Sequence, residues 1–287
     1  MPGRPIPNEL EMLRMGYGHP EFVRRRSILQ ETLEAFSSAN PPNKYQMLAA
    51  ANLSRWQKDA QENNSIGQVR IIAGDWGEVT HNLTKTYGVC FAVLNMANAY
   101  VPGGAYVEGA PAQEENMFRR TDCHFHVDQG EYDEFRGLYL PEMTQLISAR
   151  DGSVYLDTDS PRTCIRGPED RSREDLGYPW LESHEVFPFY ELRAAAQDLR
   201  GGIAFNCDEA RRRIAAQLDT LRDCEIRHVV LGALGCGAFE NPSVEVARIY
   251  KEEISIRRAD FILVAFAIFA AGYGPGNYKP FAKVFGG

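Results

Sequence analysis

Positive charge is in deficit in this sequence: 31 Lys and Arg against 39 Asp and Glu leave a formal net charge of −8 over 287 residues. That argues against a general nucleic-acid binder, which needs a basic face for phosphate contacts. Long apolar runs are missing too. The longest, residues 261–271, is too short to cross a bilayer, and the first eleven residues hold no apolar segment of a leader. The expectation is a soluble, cytoplasmic protein with no membrane partner. No C-x-x-C pair occurs among Cys90, Cys123, Cys164, Cys207, Cys224 and Cys236; thiols so scattered suit a reduced intracellular protein better than a disulfide framework. Repeats, low-complexity tracts and linkers are absent, and 44% apolar with 24% charged residues is ordinary globular usage. One large α/β domain is therefore favoured over two small ones.

Along the chain, residues 8–38 have helical apolar spacing interrupted at Gly16, Gly18 and Pro20, and Pro41 and Pro42 stop it. A second helix is expected over 44–62. These two make an N-terminal helical attachment, residues 1–66, on a core of residues 67–287. The runs Arg24-Arg25-Arg26 and Arg211-Arg212-Arg213 read as solvated helix faces rather than binding stripes. A first strand spans 69–73 and a continuously apolar one 89–95, as in a strand covered on both sides. Helices follow at 113–120, 142–149, 207–221 and 244–254. Short strands are expected near 154–156 and 163–165, then a polar loop over 166–177, strands at 226–231 and 261–269, and a tail from 273 that packs back near Phe281. Residues 182–199 mix strand and loop signals.

Two glycine-bearing turns carry the chemistry. The first follows the apolar strand: Asn95-Met96-Ala97-Asn98, then Pro102-Gly103-Gly104-Ala105, and seven residues later Gln113-Glu114-Glu115 at a helix start. A strand, a flexible turn and two adjacent carboxylates suit a polyanion-binding loop beside an acid catalyst. The second is strand 228–231 emptying into Gly232-Ala233-Leu234-Gly235-Cys236-Gly237-Ala238-Phe239, where successive N–H groups and a helix start both favour an anion. Cys123, His124 and His126 are too compressed for a tetrahedral zinc site, so no metal is expected. Neither glycine loop has the dinucleotide-binding spacing with an acid about twenty residues on, which disfavours an oxidoreductase.

At these residues the sequence resembles the poly(ADP-ribose) glycohydrolase-like branch of the macrodomain superfamily, with Ala105 in place of the third glycine of the microbial members. The likeness extends from about residue 69 to 281. It implies a three-layer α/β/α sandwich with a mixed central sheet, an ADP-ribose cleft between the two loops, and no cofactor. It also implies Glu115 as the catalytic acid, Glu114 placing ribose hydroxyls, and the Asn95–Asn98 strand end facing the distal ribose.

Ribosyl bond cleavage passes through an oxocarbenium-like state, so one carboxyl group protonates the leaving group and then activates water. On this scheme Gly103, Gly104, Gly235 and Gly237 hold the diphosphate, Gln113, Ala105, Cys236 and Ala238 line the cleft, and Phe239 packs on sugar or base. Asp75, after the first strand, either accepts from the adenine amine or simply forms a Gly-Asp turn. The acidic surroundings Asp122, Asp128, Glu131 and Asp133 suit a guanidinium better than a polyanion. The favoured expectation is therefore a hydrolase of mono-ADP-ribosylated protein, arginine-linked, with Asp122 gripping the guanidinium; a helix-surface or capping role for Asp122 competes. Polymer cleavage and a non-catalytic ADP-ribose reader are the alternatives.

Overall fold

In the computed structural model, which describes residues 3–60, 65–128, 130–270 and 276–286, helices α1 (Glu9–Arg14), α2 (Pro20–Ser37) and α3 (Lys44–Asp59) precede strand β1 (Gln68–Ala73). There follow α4 (Trp76–Tyr87), β2 (Ala92–Met96), α5 (Gln113–Arg120), the ribbon β3 (Tyr132–Asp133) and β4 (Leu138–Tyr139), and α6 (Pro141–Ile147). The chain continues through β5 (Tyr155–Cys164), β6 (Phe187–Ala194), α7 (Cys207–Asp223), β7 (His228–Leu231), α8 (Ser243–Ile256), β8 (Leu263–Ile268) and α9 (Tyr278–Phe285).

The main sheet has six strands in the order β1-β8-β7-β2-β6-β5. All neighbours are parallel except β5, which runs antiparallel to β6. Side chains alternate across a strand, and the alternation builds the layers. In β8, Leu263, Ala265 and Ala267 join one core with Trp76 and Leu83 of α4 and Met117 and Phe118 of α5. Val264, Phe266 and Ile268 join the other, with Leu218 of α7, Tyr250 of α8 and Phe281 of α9. This is the expected α/β/α sandwich with a mixed sheet. Its parallel strands deliver their carboxyl ends to one edge, where β1 leads to Asp75, β2 to Asn98, β7 to Gly232 and β8 to Phe269. In open α/β sheets that edge is where ligands bind.

Several expectations are corrected. Residues 182–199, with their mixed strand and loop signals, contain β6, an interior strand whose apolar signal is broken by Glu191 and Arg193. The two short strands expected near 154–165 are one strand, β5, with an irregularity between Asp157 and Arg162. The apolar run beginning at 89 enters the sheet only at Ala92, and α3 ends at Asp59, so the expected extension to 62 runs outside the described residues. The start of the tail at 273 does so too; its described part forms α9, with the Phe281 ring 5.4 Å from that of Phe266.

The arginine runs are only partly solvated faces, since each has buried members. Arg25 and Arg26 are buried, Arg25 pairing with Glu169 at 2.7 Å and Arg26 with Glu9 while donating to the Glu108 carbonyl. Arg213 is buried as well and donates to the Ala195 carbonyl, tying α7 to the end of β6. The polar loop 166–177 is a folded flap, with bridges Arg166 to Trp180 and Glu169 to Gly177.

Phe266 is fully buried among Tyr250, Phe281 and Phe285, so Phe266→Ala leaves a large cavity and is expected to cost about 3–5 kcal/mol. Urea denaturation followed by circular dichroism measures it.

Candidate functional site

Helix α5 begins without a side-chain cap on Ala112. Gln113 fixes its start instead, donating to the Leu94 carbonyl at 2.9 Å and accepting from Met96 N–H at 3.0 Å. One amide side chain thus ties the helix to the end of β2. The next two residues then point into the space beyond that strand. Glu114 accepts through Oε2 from Asn98 N–H at 2.8 Å, and Glu115 through Oε1 from Ala105 N–H at 2.9 Å.

The turn between them is closed by Asn98, whose Oδ1 accepts from Tyr100 and Val101 N–H. Gly103 and Gly104 have φ of +71° and +58°, values that favour glycine. At Gly104 a Cβ would lie 2.5 Å from Glu115 Oε1 and 2.9 Å from Glu114 Oε2. The backbone therefore passes directly against both carboxyl groups. From outside, Arg4 holds this turn, donating to the Gly104 carbonyl at 2.6 Å and pairing with Glu108 at 2.9 Å.

Three polar atoms remain buried with no partner among the described residues: Glu114 Oε1, Glu115 Oε2 and Asn95 Oδ1. Buried polar atoms are nearly always hydrogen-bonded, so three orphans on neighbouring site residues mark a place built for a polar ligand. Asn95 is oriented from behind: its Nδ2 donates to Glu191, which also takes Arg162 and Arg193 in a fully buried ion cluster.

The second loop has the opposite character. Asn241 Nδ2 donates to the carbonyls of Gln197, Gly235 and Phe239, holding the loop from within. The N–H groups of Gly235, Gly237, Ala238 and Phe239 make no hydrogen bond among the described residues. Gly237 and Ala238 are exposed, and a Cβ on Gly237 would meet nothing within 4 Å. Free N–H groups on an open turn favour an anion.

The Phe239 ring, half-buried, lies 5.0 Å from the Arg200 guanidinium carbon. Phe269, at the end of β8, is 44% exposed with the Arg171 guanidinium 5.9 Å away.

Comparison with known proteins now bears on this geometry. Residues 25–137, which include the first loop and Gln113-Glu114-Glu115, match the family model described as microbial-type PARG, catalytic domain. Over that segment the chain is similar to the microbial-type PARG catalytic domain.

Among solved structures, poly(ADP-ribose) glycohydrolase (PARG) from Thermomonospora curvata superposes with a TM-score of 0.62 at 22% identity, covering 91% of this chain and 99% of that one. The Thermomonospora enzyme bound to the inhibitor ADP-HPD gives 0.60 at 22% identity, over 90% and 98% of the two chains. The Deinococcus radiodurans enzyme in complex with ADP-ribose gives 0.56 at 22% identity, over 85% and 92%. At this identity these matches establish the fold. No curated protein sequence matches the chain.

Within this PARG-like site the structure revises several residue roles. Asp122 does not reach for a guanidinium. It is buried, Oδ1 accepting from Thr163 N–H at 2.7 Å and Oδ2 from Gln46 Nε2 at 2.8 Å, so both oxygens hold the chain together. Glu131 is likewise taken, by Arg193 at 2.9 Å. Asp75 caps α4 through Gly77 and Glu78 N–H and pairs with buried Arg120 at 2.7 Å, which is the turn-forming reading. In the first loop, Gly104 N–H is used by the Val101 carbonyl and Ala105 N–H by Glu115. That turn collars the carboxylates, and the anion-cradling capacity lies in the second loop. Cys236 is half-buried, burial pushing its thiol up to about 12.

Sequence reasoning missed Glu191 and Arg193, although two opposite charges at i and i+2 in an apolar strand share one face and so signal a buried pair.

Burial, more than mutual repulsion, sets the acidities. Glu114 is held well above the usual carboxylate range by burial first, and then by the charges of Glu115 and Glu191. Glu115 is raised by burial, with the Ala105 N–H opposing. Glu191, between two guanidinium groups, is pulled down to about 2 despite its burial.

Folded Glu114 keeps its proton at pH values where the unfolded chain has released it, so stability falls as pH rises from the ordinary carboxylate range toward that raised value. Glu191 works in the opposite direction, its contribution being lost only as pH falls toward 2. Glu114→Gln should therefore flatten the alkaline decline and be more stable than the parent at pH 8; urea midpoints at pH 5 and pH 8 test this. Gly104→Ala pushes a methyl into both carboxyl groups, and turnover should fall roughly 10²-fold, as about 1 Å of misplacement costs. A kinetic assay with ADP-ribose affinity as control measures it.

Proposed function

We propose that this protein hydrolyses the ribose-to-ribose glycosidic bond of ADP-ribose polymer, releasing ADP-ribose, with Glu115 as the acid. The observation that carries the reading is Glu115 itself: buried, with raised proton affinity, fixed against the glycine turn through one oxygen by Ala105 N–H and with the other oxygen unpartnered among the described residues. Raised proton affinity favours the acid form, which gives its proton to the leaving oxygen as the C–O bond breaks and as carboxylate takes one from the attacking water. Glu114, with its own free oxygen, would hold ribose hydroxyls. The second loop would take the diphosphate on its free N–H groups, with Phe239 and Phe269 available to sugar or base.

Arginine-linked mono-ADP-ribose is the weaker substrate on this reading, because Asp122, the acid expected to grip the guanidinium, is engaged within the chain through both oxygens, and Glu131 of its acidic surroundings is paired with Arg193. The net charge of −8 is no strong counter-argument. Exposed charges are screened over about 8 Å, and guanidinium groups, of Arg200 and Arg171, lie beside Phe239 and Phe269. Polymer as partner and product ADP-ribose follow from this proposal. A reduced cytoplasmic setting fits the six cysteines, all free thiols.

Incubation with ADP-ribose polymer and, separately, with arginine-ADP-ribosylated protein tests the substrate. Polymer should shorten with release of ADP-ribose. Consumption of the arginine conjugate alone, or ADP-ribose binding without any turnover, would overturn the proposal. Glu115→Gln should lower kcat roughly 10²–10⁴-fold with ADP-ribose affinity retained in calorimetry.

A further inference from the structure

Arg119 is fully buried in the last turn of α5, yet both terminal nitrogens of its guanidinium lack a hydrogen-bond partner among the described residues. Its Nε donates to Tyr178 Oη at 3.0 Å, and its carbonyl accepts from Thr32 Oγ1 of α2 at 2.7 Å. The residue is thus anchored at both ends of its stem while the fork is left bare. A buried guanidinium with unmade hydrogen bonds is costly, even with the Tyr178 ring 5.7 Å away and the Glu169 charge acting on it, and one retained in a folded chain calls for a use.

Its position supplies one. Arg119 follows Glu115 by four residues, and long helical side chains lean back toward the helix start, onto the residue four before. That spacing puts the two side chains on one face of α5, and Glu115 Oε2 is likewise bare. The two groups interact electrostatically, the arginine opposing the effect of burial on the acid.

We propose that Arg119 is the positioning cation of this site, its free fork stabilising the Glu115 carboxylate that forms once the acid has given up its proton. The inference rests on the glycohydrolase reading. As the bond to the anomeric carbon breaks, the proton of Glu115 moves to the leaving oxygen. Water then adds to that carbon and returns a proton to Glu115. Between those events a carboxylate lies buried beside Glu114, and Arg119 supplies the countercharge without itself losing a proton.

The other charged groups near the pair are already matched. On the Glu115 side, Glu108 is held by Arg4, and Arg26 of α2 by Glu9. On the Arg119 side, Glu169 is held by Arg25 of α2 and by Arg171, and it accepts from Tyr178.

The test is a carbon-13 NMR titration of Glu115 in the parent, in Arg119→Met and in Arg119→Lys. Loss of the cation should move the Glu115 midpoint up by about one pH unit or more, while Lys should restore most of it. The alkaline limb of the kcat profile should move with it, kcat falling at least tenfold and KM changing little. An unmoved Glu115 midpoint in folded Arg119→Met overturns the proposal; should that variant not fold, Arg119→Gln answers the same question. Because the titration needs no turnover, its failure is distinct from failure of the glycohydrolase reading, which a parent protein inactive on polymer would reveal.

Discussion

Two carboxyl groups taken out of water with half their hydrogen-bonding capacity unused are the constraint around which this molecule is arranged. Each of Glu114 and Glu115 is gripped through one oxygen by a backbone N–H of the preceding turn, and each keeps its second oxygen bare. That geometry survives only if helix and strand end cannot drift apart, which Gln113 ensures by bonding to both the Leu94 carbonyl and the Met96 N–H. It also requires that no side chain stand between turn and carboxylates, hence glycine at 104. The N-terminal segment, which looks like an appendage in the sequence, completes the grip through Arg4.

Beneath this pair lies a second tier of charge with the opposite behaviour. Glu191 pairs with two fully buried arginines, Arg162 and Arg193, and accepts from Asn95, and its ionised state is secured by the arginines. Glu114 makes no ion pair among the described residues and is biased toward its neutral form, partly by the charge of Glu191 itself. Carboxyl groups in closely related surroundings are thus pushed to opposite protonation states by whether a guanidinium adjoins them. One result is a rigid anion that orients Asn95, the other a proton reservoir facing the crevice.

The two glycine turns divide the work in a way their compositions do not disclose. Both look like phosphate cradles. In the first, the N–H groups of Gly104 and Ala105 are consumed by Val101 and Glu115, so the turn serves the acid. In the second, Asn241 satisfies the loop's carbonyls and leaves its N–H groups outward, the arrangement that receives an anion.

Much was legible before any coordinates. Short-range patterns fix the α/β alternation, the strand 228–231, the helix at 113–120 and the Gln-Glu-Glu at its start, because periodicity, turn residues and adjacent functional groups are local properties of a chain. The strand β6 was not legible: Glu191 and Arg193 look solvent-facing until Arg162, about thirty residues away in sequence, is folded onto them. Nor was the fate of Asp122, which depends on Thr163 and Gln46, or that of Arg25, which depends on Glu169.

The sequence by itself thus determined which elements form and which residues could do acid chemistry. Only the tertiary structure decided which charges are spent on holding the protein together and which remain free, since desolvation and pairing depend on neighbours that come from distant parts of the chain.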